Sequence, residues 1–349
     1  MSTTQKVLVV TAIGQPVTSV PNWPIPVPGP KQIQLRITVG GLNPHDQKAR
    51  DIGVFIKDDL PAILGNDVVG VVTALGEGAS RFKVGDRVFG QAHMKMESKA
   101  LQEYAVLDED YAARVPKGVS EDEAATLPTN IIADVVAFFD PSHLAIPAPW
   151  NKQGNVGDIA FSAILIIGGG SNCGRFATQL ASLSGFSTIV VIGGLESELK
   201  SYGATHIVDR HGGHDTVLAR IRDIVGDELV YAFDAVSPPS EQHLAVNALS
   251  NSKKGKLARL VWSRGSVAGD KILAKKEGYE LKNVMGVSHN HPDVTVPFWR
   301  VVGDWLVQRK IRPTEYVSVE GLDVQKVNEV LDRYRDGEKV VQPHFRVST

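Results

Sequence analysis

The apolar positions along the chain change period near its middle. In the first hundred residues they come in short runs: Gln32 to Gly40 alternates Ile33, Leu35, Ile37 and Val39 with polar neighbours. Lys6 to Ala12, the Val-rich Asp67 to Leu75, Arg87 to Gly90 and Gln102 to Leu107 also read as strands. Gly76 to Ala79 and Gly85-Asp86 supply turns, and Pro21 to Pro30 is a proline-rich extended connection. Many short strands in succession predict a barrel-like β domain.

From Ala163 the pattern alternates between two periods. Ala163 to Ile167 is a continuous apolar run, too short for a helix and bounded by Gly168, Gly169 and Gly170, as expected of a buried parallel strand. Phe176, Ala177, Leu180, Ala181 and Leu183 then fall at helical spacing until Gly185, and Thr188 to Ile192 repeats the strand pattern. Further strands are expected at His206 to Asp209, Leu229 to Ala235, Lys256 to Trp262 and Leu281 to Val287, with helices at His214 to Val225 and Ser240 to Leu249. Strands alternating with helices predict an α/β, doubly wound parallel sheet. Its strand-ending loops at Gly168, Gly193, Arg210, Ala235, Val261 and Val287 would form one ligand crevice. Pro141 to Asp158 reads as a linker, and Pro297 to Lys310 and Asp323 to Arg335 as amphipathic helices.

Composition narrows the function. The 349 residues allow two domains, and 37 Lys and Arg against 39 Asp and Glu leave no basic excess to argue for nucleic acid or an anionic membrane as partner. A single cysteine excludes a disulfide framework or a cysteine-rich zinc lobe. With no basic segment leading an apolar core at the N-terminus and no run of about 18 apolar residues, a soluble cytoplasmic protein is expected.

The glycines at 168, 170 and 174 carry the chemistry. Lacking Cβ atoms, they let the backbone turn sharply and bring a pyrophosphate against the amides at a helix N-terminus. The spacing is G-x-G-x-x-x-G rather than G-x-G-x-x-G, yet it lies between a strand and a helix, where a dinucleotide fingerprint belongs. Gly168, Gly170, Ser171, Asn172, Cys173 and Gly174 are therefore candidate cofactor contacts, the plain alternative being a tight structural turn and, for Cys173, simple packing. After the second strand, where an NAD site places a carboxylate, stand Gly193 and Gly194; nothing there repels a 2′-phosphate, which points to NADPH. Arg210 is the candidate cap for that phosphate, its alternative an ordinary solvated arginine.

The string LGNDVVGVVTALGEGASRFKVGDRVFG, Leu64 to Gly90, resembles the GroES-like domain of the medium-chain dehydrogenase/reductase superfamily. GLNPHDQKAR, Gly41 to Arg50, is similar to the segment found in its zinc-free quinone oxidoreductase and enoyl reductase branch. AATLP at Ala124 to Pro128, Tyr202 to Ala204, LAIPAPW, PFWRVVGDWLVQRKIRP and a C-terminal GEKVV follow in family order and resemble the fungal trans-acting enoyl reductases and ToxD-like reductases. The resemblance implies a GroES-like domain of residues 1–127 completed by 290–349, and a Rossmann domain of 128–289. It also implies no catalytic zinc: Asn43-Pro44 replaces the cysteine ligand, and Gly65-Asn66-Asp67 replaces the G-H-E segment. His45, His93, His289 and His291 remain as scattered histidines or an improvised cluster.

For such a family the expected reaction moves hydride from NADPH to the β-carbon of an α,β-unsaturated carbonyl, with the enolate held by donors and the α-carbon protonated by water. Asn43, Val261 and Lys339 join the expected cofactor contacts; His45, Asp46, Thr129, Asn130 and Asp134 are the polar candidates for catalysis. Each has a plainer reading: His45 a structural hydrogen bond, Asp46 an anchor for the NP loop, Asp134 a helix-start carboxylate. The proton-donating tyrosine proposed for crotonyl-type enoyl reductases is absent, its region reading Gly53-Val54-Phe55, and Ala133-Asp134 replaces a Thr-Ala pair. Aldehyde or quinone reduction, and a non-redox role in ligand binding, isomerisation or cyclisation, stay open. The substrate would arrive free or on a carrier or synthase, and the family contains monomers and homodimers.

Overall fold

The computed structural model describes residues 3–151, 162–261, 265 and 267–347. Two compact units are present: Met1–Thr129 with Val287–Asn290 and Trp299–Thr349, and Asn130–Gly286 with His291–Phe298. Among the described residues no helix is long and apolar enough to cross a membrane.

The strands in chain order are β1 (Thr4–Val10), β2 (Thr18–Pro24), β3 (Gln32–Gly41), β4 (Ala62–Ile63), β5 (Asp67–Leu75), β6 (Arg87–Gln91), β7 (Tyr104–Asp108), β8 (Ala112–Arg114), β9 (Ala163–Ile167), β10 (Thr188–Ile192), β11 (His206–Val208), β12 (Tyr231–Asp234), β13 (Gly255–Arg259), β14 (Tyr279–Asn283), β15 (Tyr316–Glu320) and β16 (Gln342–Arg346). The helices are α1 (Pro44–Ile52), α2 (Glu121–Ala125), α3 (Pro128–Phe139), α4 (Asn172–Ser184), α5 (Glu196–Ser201), α6 (Gly213–Val225), α7 (His243–Ala248), α8 (Pro292–Val307) and α9 (Val324–Arg335).

The first unit is built on two sheets, one ordered β2-β1-β4 and a larger one ordered β15-β16-β3-β5-β6-β8, with β7 also paired to β3. In β3 the period of two is realised: Ile33, Leu35, Ile37 and Val39 are all buried, in one case with Val68, Val72 and Val88 of the neighbouring strands forming an apolar core beside Ile33, Leu35 and Ile37. The proline-rich connection expected from Pro21 is in part a strand. Prolines are tolerated there because, among the described residues, β2 lies at a sheet edge and pairs with β1 alone.

The second unit is a six-stranded parallel sheet ordered β11-β10-β9-β12-β13-β14. Chain order runs outward from β9 in one direction and from β12 in the other, so the sheet has a topological switch point between them. All five residues of β9 are buried, which is why its sequence is uniformly apolar. The strand expected to reach Trp262 ends at Arg259, and Trp262 itself lies outside the described residues, as do residues 152–158 of the expected linker. The helix expected from Pro297 begins five residues earlier at Pro292, with Pro297 inside it.

Candidate functional site

In the second unit, the turn from β9 into α4 is made of close backbone contacts. Gly168 has φ +92°, and both its amide and that of Gly169 donate to the Ile192 carbonyl at 3.1 and 3.0 Å. Ser171 caps α4: its Oγ accepts from the Gly174 amide at 3.0 Å and donates to the Gly168 carbonyl at 2.8 Å. A Cβ on Gly174 would stand 2.1 Å from the Gly168 oxygen, so only glycine lets the helix start this close to the strand end.

The Gly193-Gly194 turn after β10 packs onto the same loop. A Cβ on Gly194 would lie 2.8 Å from the Gly169 carbon and the Gly170 nitrogen, whereas one on Gly193 would meet nothing within 4 Å. Glycine at 194 is thus fixed by packing, and 193 opens onto free space. Arg175 ties the turn to α5, pairing through Nε with the Glu198 carboxylate at 3.0 Å and donating from Nη1 to the Gly170 carbonyl at 2.9 Å. Cys173 turns away, its Sγ donating toward the Asn130 carbonyl and Oδ1 at 3.7 and 3.6 Å. A cradle with no side chain at its tightest points, at the positive end of a 13-residue helix, fits the pyrophosphate of a dinucleotide.

Arg210, two residues beyond β11, is exposed and makes no side-chain hydrogen bond or ion pair among the described residues. Val261 follows β13, and its carbonyl accepts from Gln242 Nε2 at 2.6 Å. Asp134 corrects an expectation. It is the seventh residue of α3, fully buried rather than at a helix start, and neither oxygen has a well-formed hydrogen-bond partner. Burial drives its carboxyl well above the ordinary range, the Ala177 amide offering only weak relief.

In the first unit, α1 starts from the NP loop and is held by Asp46. That buried carboxylate accepts from the Asn43 amide through Oδ2 at 2.8 Å and from the Gly65 amide through Oδ1 at 2.9 Å, which makes it an anchor. Asn43 commits its own side chain, Nδ2 donating to Asp67 Oδ2 at 2.6 Å. Asp67, which the sequence reading passed over, has no exposed surface; it also accepts from Gln342 Nε2 at 3.0 Å and from the Thr129 amide at 2.6 Å. Burial raises its pKa to about 7, against the lowering effect of the Thr129 and Asn43 donors, with the nearby Asp46 adding to the rise. Lys339 is exposed, and its carbonyl accepts from Arg333 at 3.3 Å.

A second missed group stands beside His45. Lys99 is 7% exposed and donates from Nζ to Asn66 Oδ1 at 2.6 Å. An ammonium only donates, so the Asn66 atom facing it is the oxygen, and the Asn66 amide nitrogen is the one 3.0 Å from His45 Nε2. Nε2 therefore accepts, and a neutral His45 carries its hydrogen on Nδ1. Burial lowers the pKa of His45, the neighbouring Asp46 pulling it up and Lys99 down; burial likewise lowers Lys99 to about 8. The four histidines do not gather into one cluster: His93 and His289 meet edge-to-face with ring centroids 4.2 Å apart, while His291 bonds to Asp140.

Comparison with known proteins agrees with this architecture. Residues 29–117 match the alcohol dehydrogenase GroES-like domain. A trans-enoyl reductase of a Penicillium species is 30% identical over 265 residues, covering 72% of this chain and 71% of that protein. A trans-enoyl reductase of Fusarium mangiferae is 28% identical over 363 residues, covering 90% and 91%. Among solved structures, a mycobacterial protein complexed with NADPH superposes with a TM-score of 0.73 at 19% identity, covering 98% of this chain and 99% of that one. The chain belongs to the medium-chain dehydrogenase/reductase superfamily, alongside fungal trans-enoyl reductases.

Proposed function

We propose that this protein is an NADPH-dependent reductase of the carbon–carbon double bond in α,β-unsaturated carbonyl compounds, independent of zinc in its chemistry. The observation that carries the reading is the glycine cradle between β9 and α4, shaped by backbone packing to take a pyrophosphate. Gly168 to Gly174 would hold the diphosphate, the open position at Gly193 would leave room beside the adenosine ribose, and Arg210 would meet a 2′-phosphate. The reduced nicotinamide supplies a hydride when bound. The relatives named as trans-enoyl reductases, and a similar fold complexed with NADPH, support this choice.

For the protein's own part, His45 would donate a hydrogen bond to the developing enolate oxygen, while water protonates the α-carbon. Its neutral ring presents an Nδ1–H because Lys99 orients Asn66 and Asn66 occupies Nε2. Asp46 and Asp67 fix the loop that carries it and do not exchange protons with substrate.

The test uses NADPH carrying deuterium at the transferable position of the nicotinamide, with an enone, an enal and a saturated aldehyde as substrates. Saturable NADPH binding by nicotinamide fluorescence, followed by deuterium on the product β-carbon, is expected. Deuterium on the carbonyl carbon would replace alkene reduction by aldehyde reduction. Absence of saturable binding would move the protein to a non-redox role.

A further inference from the structure

The second unit contains a cluster of nitrogen and oxygen ligands that the reductase reading does not use. Asp140 follows α3, His143 sits in the next turn, and His291 immediately precedes α8. One ligand atom from each lies within 4.8 Å of the others. His291 Nδ1 is 2.8 Å from Asp140 Oδ2, His143 Nδ1 is 3.3 Å from Asp140 Oδ1, and the two imidazole rings cross at 69° with centroids 5.4 Å apart.

The hydrogens in this cluster do not add up. His143 Nε2 lies 3.2 Å from the carbonyl of Asn283, an atom that only accepts, so Nε2 bears hydrogen. In a neutral ring Nδ1 is then a lone pair, and it faces two oxygens: Asp140 Oδ1 and Ser142 Oγ, the latter at 3.0 Å. Ser142 Oγ also contacts Asp140 Oδ1 and has a single hydrogen to give. If that hydrogen goes to the carboxylate, Nδ1 faces lone pairs alone; if it goes to Nδ1, the hydroxyl and carboxylate oxygens oppose each other. Three acceptors share one hydroxyl hydrogen, and the group is short of one positive charge.

A proton on His143 would cancel that deficit using one imidazole. Here a second imidazole stands beside the same carboxylate, so one ligand atom from each of the three side chains could face a single divalent cation, and two imidazoles with a carboxylate are a donor set that suits zinc. The surroundings match what such an ion needs. The Nε2–H of His143 is held by a backbone carbonyl, leaving Nδ1 directed at the carboxylate, and the Ser142 amide steadies Asp140 Oδ1 at 2.8 Å. Zinc–nitrogen bonds of about 2.0–2.1 Å would set the ligand atoms roughly 3.3 Å apart, so the His291–Asp140 contact at 2.8 Å would open slightly and wider separations, all within 4.8 Å, would close.

We infer that Asp140, His143 and His291 form a binding site for a divalent transition-metal cation of the zinc type, which joins the end of α3 to the start of α8 within the second unit. It is independent of the proposed reductase chemistry, and its role is to tie together chain segments about 150 residues apart.

The full-length protein, stripped with chelator and dialysed, is titrated with Co2+ while visible absorption is followed, and with Zn2+ by calorimetry. One equivalent is expected to bind, with cobalt bands that Zn2+ displaces and a rise in the melting temperature. Asp140→Asn and His291→Gln should each weaken binding at least a hundredfold, while Ser142→Ala retains it. X-ray absorption on the zinc-loaded wild type should report two imidazole ligands, a readout that stands even where a variant fails to fold. Absence of saturable binding up to millimolar metal, or equal binding by a folded Asp140→Asn variant, would overturn the site and leave a proton on His143 as the missing charge.

Discussion

At single positions, glycine is required here for two different reasons, and the reasons separate by experiment. Gly174 and Gly194 are constrained by contact, since a Cβ would stand 2.1 Å and 2.8 Å from backbone atoms of the β9 turn. Gly193 is constrained only by its φ of +77°, with open space around it. Gly193→Ala should therefore lower stability in urea by about 1–2 kcal/mol, the ordinary cost of the left-handed region for an L-residue. Gly174→Ala should cost more than that and abolish saturable NADPH binding, because the helix must move off the turn. Equal losses in the two variants would contradict the steric argument. Lys99 acts on His45 through Asn66 and is a positioning residue. With Lys99→Met the Asn66 amide is free to flip, and the nitrogen chemical shifts of His45 should change from one Nδ1–H tautomer to a mixture. In the proposed reductase the pH dependence of kcat should move with them, whereas an unchanged tautomer would show that Lys99 does not set the orientation of Asn66.

Among the elements, those buried on both sides were plain in the sequence and those held by side-chain bonds were not. Ala163 to Ile167 and Thr188 to Ile192 are β9 and β10 to the residue, because parallel strands under helices must be apolar throughout. The strand β15 has three exposed positions of five and carries no such signature, and β16 reads as the polar string QPHFR although four of its five residues are buried. The helix α1 is hydrophilic and was visible only as a family motif. It is fastened by its cap and by Arg50, which bonds Asp51 and, on α9, Asp332 at 2.8 Å. For the same reason the glycine turn was legible in the candidate site, while Asp67, Asn66 and Lys99 were not: Lys99 and Asn66 meet across 33 positions with no local pattern to mark them. The anchoring of α1 can be measured. Asp46→Ala leaves the buried amides of Asn43 and Gly65 without their acceptor and should cost about 3 kcal/mol, from roughly 1–3 kcal/mol for each stranded group. Asp46→Asn keeps one acceptor and should lose about half as much. A loss below about 1 kcal/mol in the alanine variant would mean that water or a shifted loop satisfies both amides.

Across the whole molecule, buried titratable groups pull stability in opposite directions as pH changes. Asp122 is desolvated by burial, yet bonds from Ser318 and Arg346 beside His344 hold it down at about 2, so its contribution is present above the ordinary carboxylate range and lost as pH falls through it. Burial lowers His45, His93, His243 and His344, each of which costs stability as the unfolded chain takes up protons below about 6.5. Asp67, Asp134 and Asp234 act the other way. Burial raises all three, so between the ordinary carboxylate range and their raised values the folded protein keeps protons that the unfolded chain releases, and stability falls as pH rises. The net profile mixes these terms, but a difference profile isolates one of them. Asp134→Asn replaces a fully buried carboxyl having no well-formed partner by a neutral group of nearly the same size. At pH 4 both side chains are uncharged in the folded state and the two proteins should be close in stability. From there toward pH 8 the wild type should fall behind by up to about 1.4 kcal/mol for each pH unit, until the folded-state carboxyl begins to ionise. The variant's advantage in melting temperature should grow steadily over this range; an offset independent of pH would show that Asp134 ionises as readily in the folded protein as in the unfolded chain.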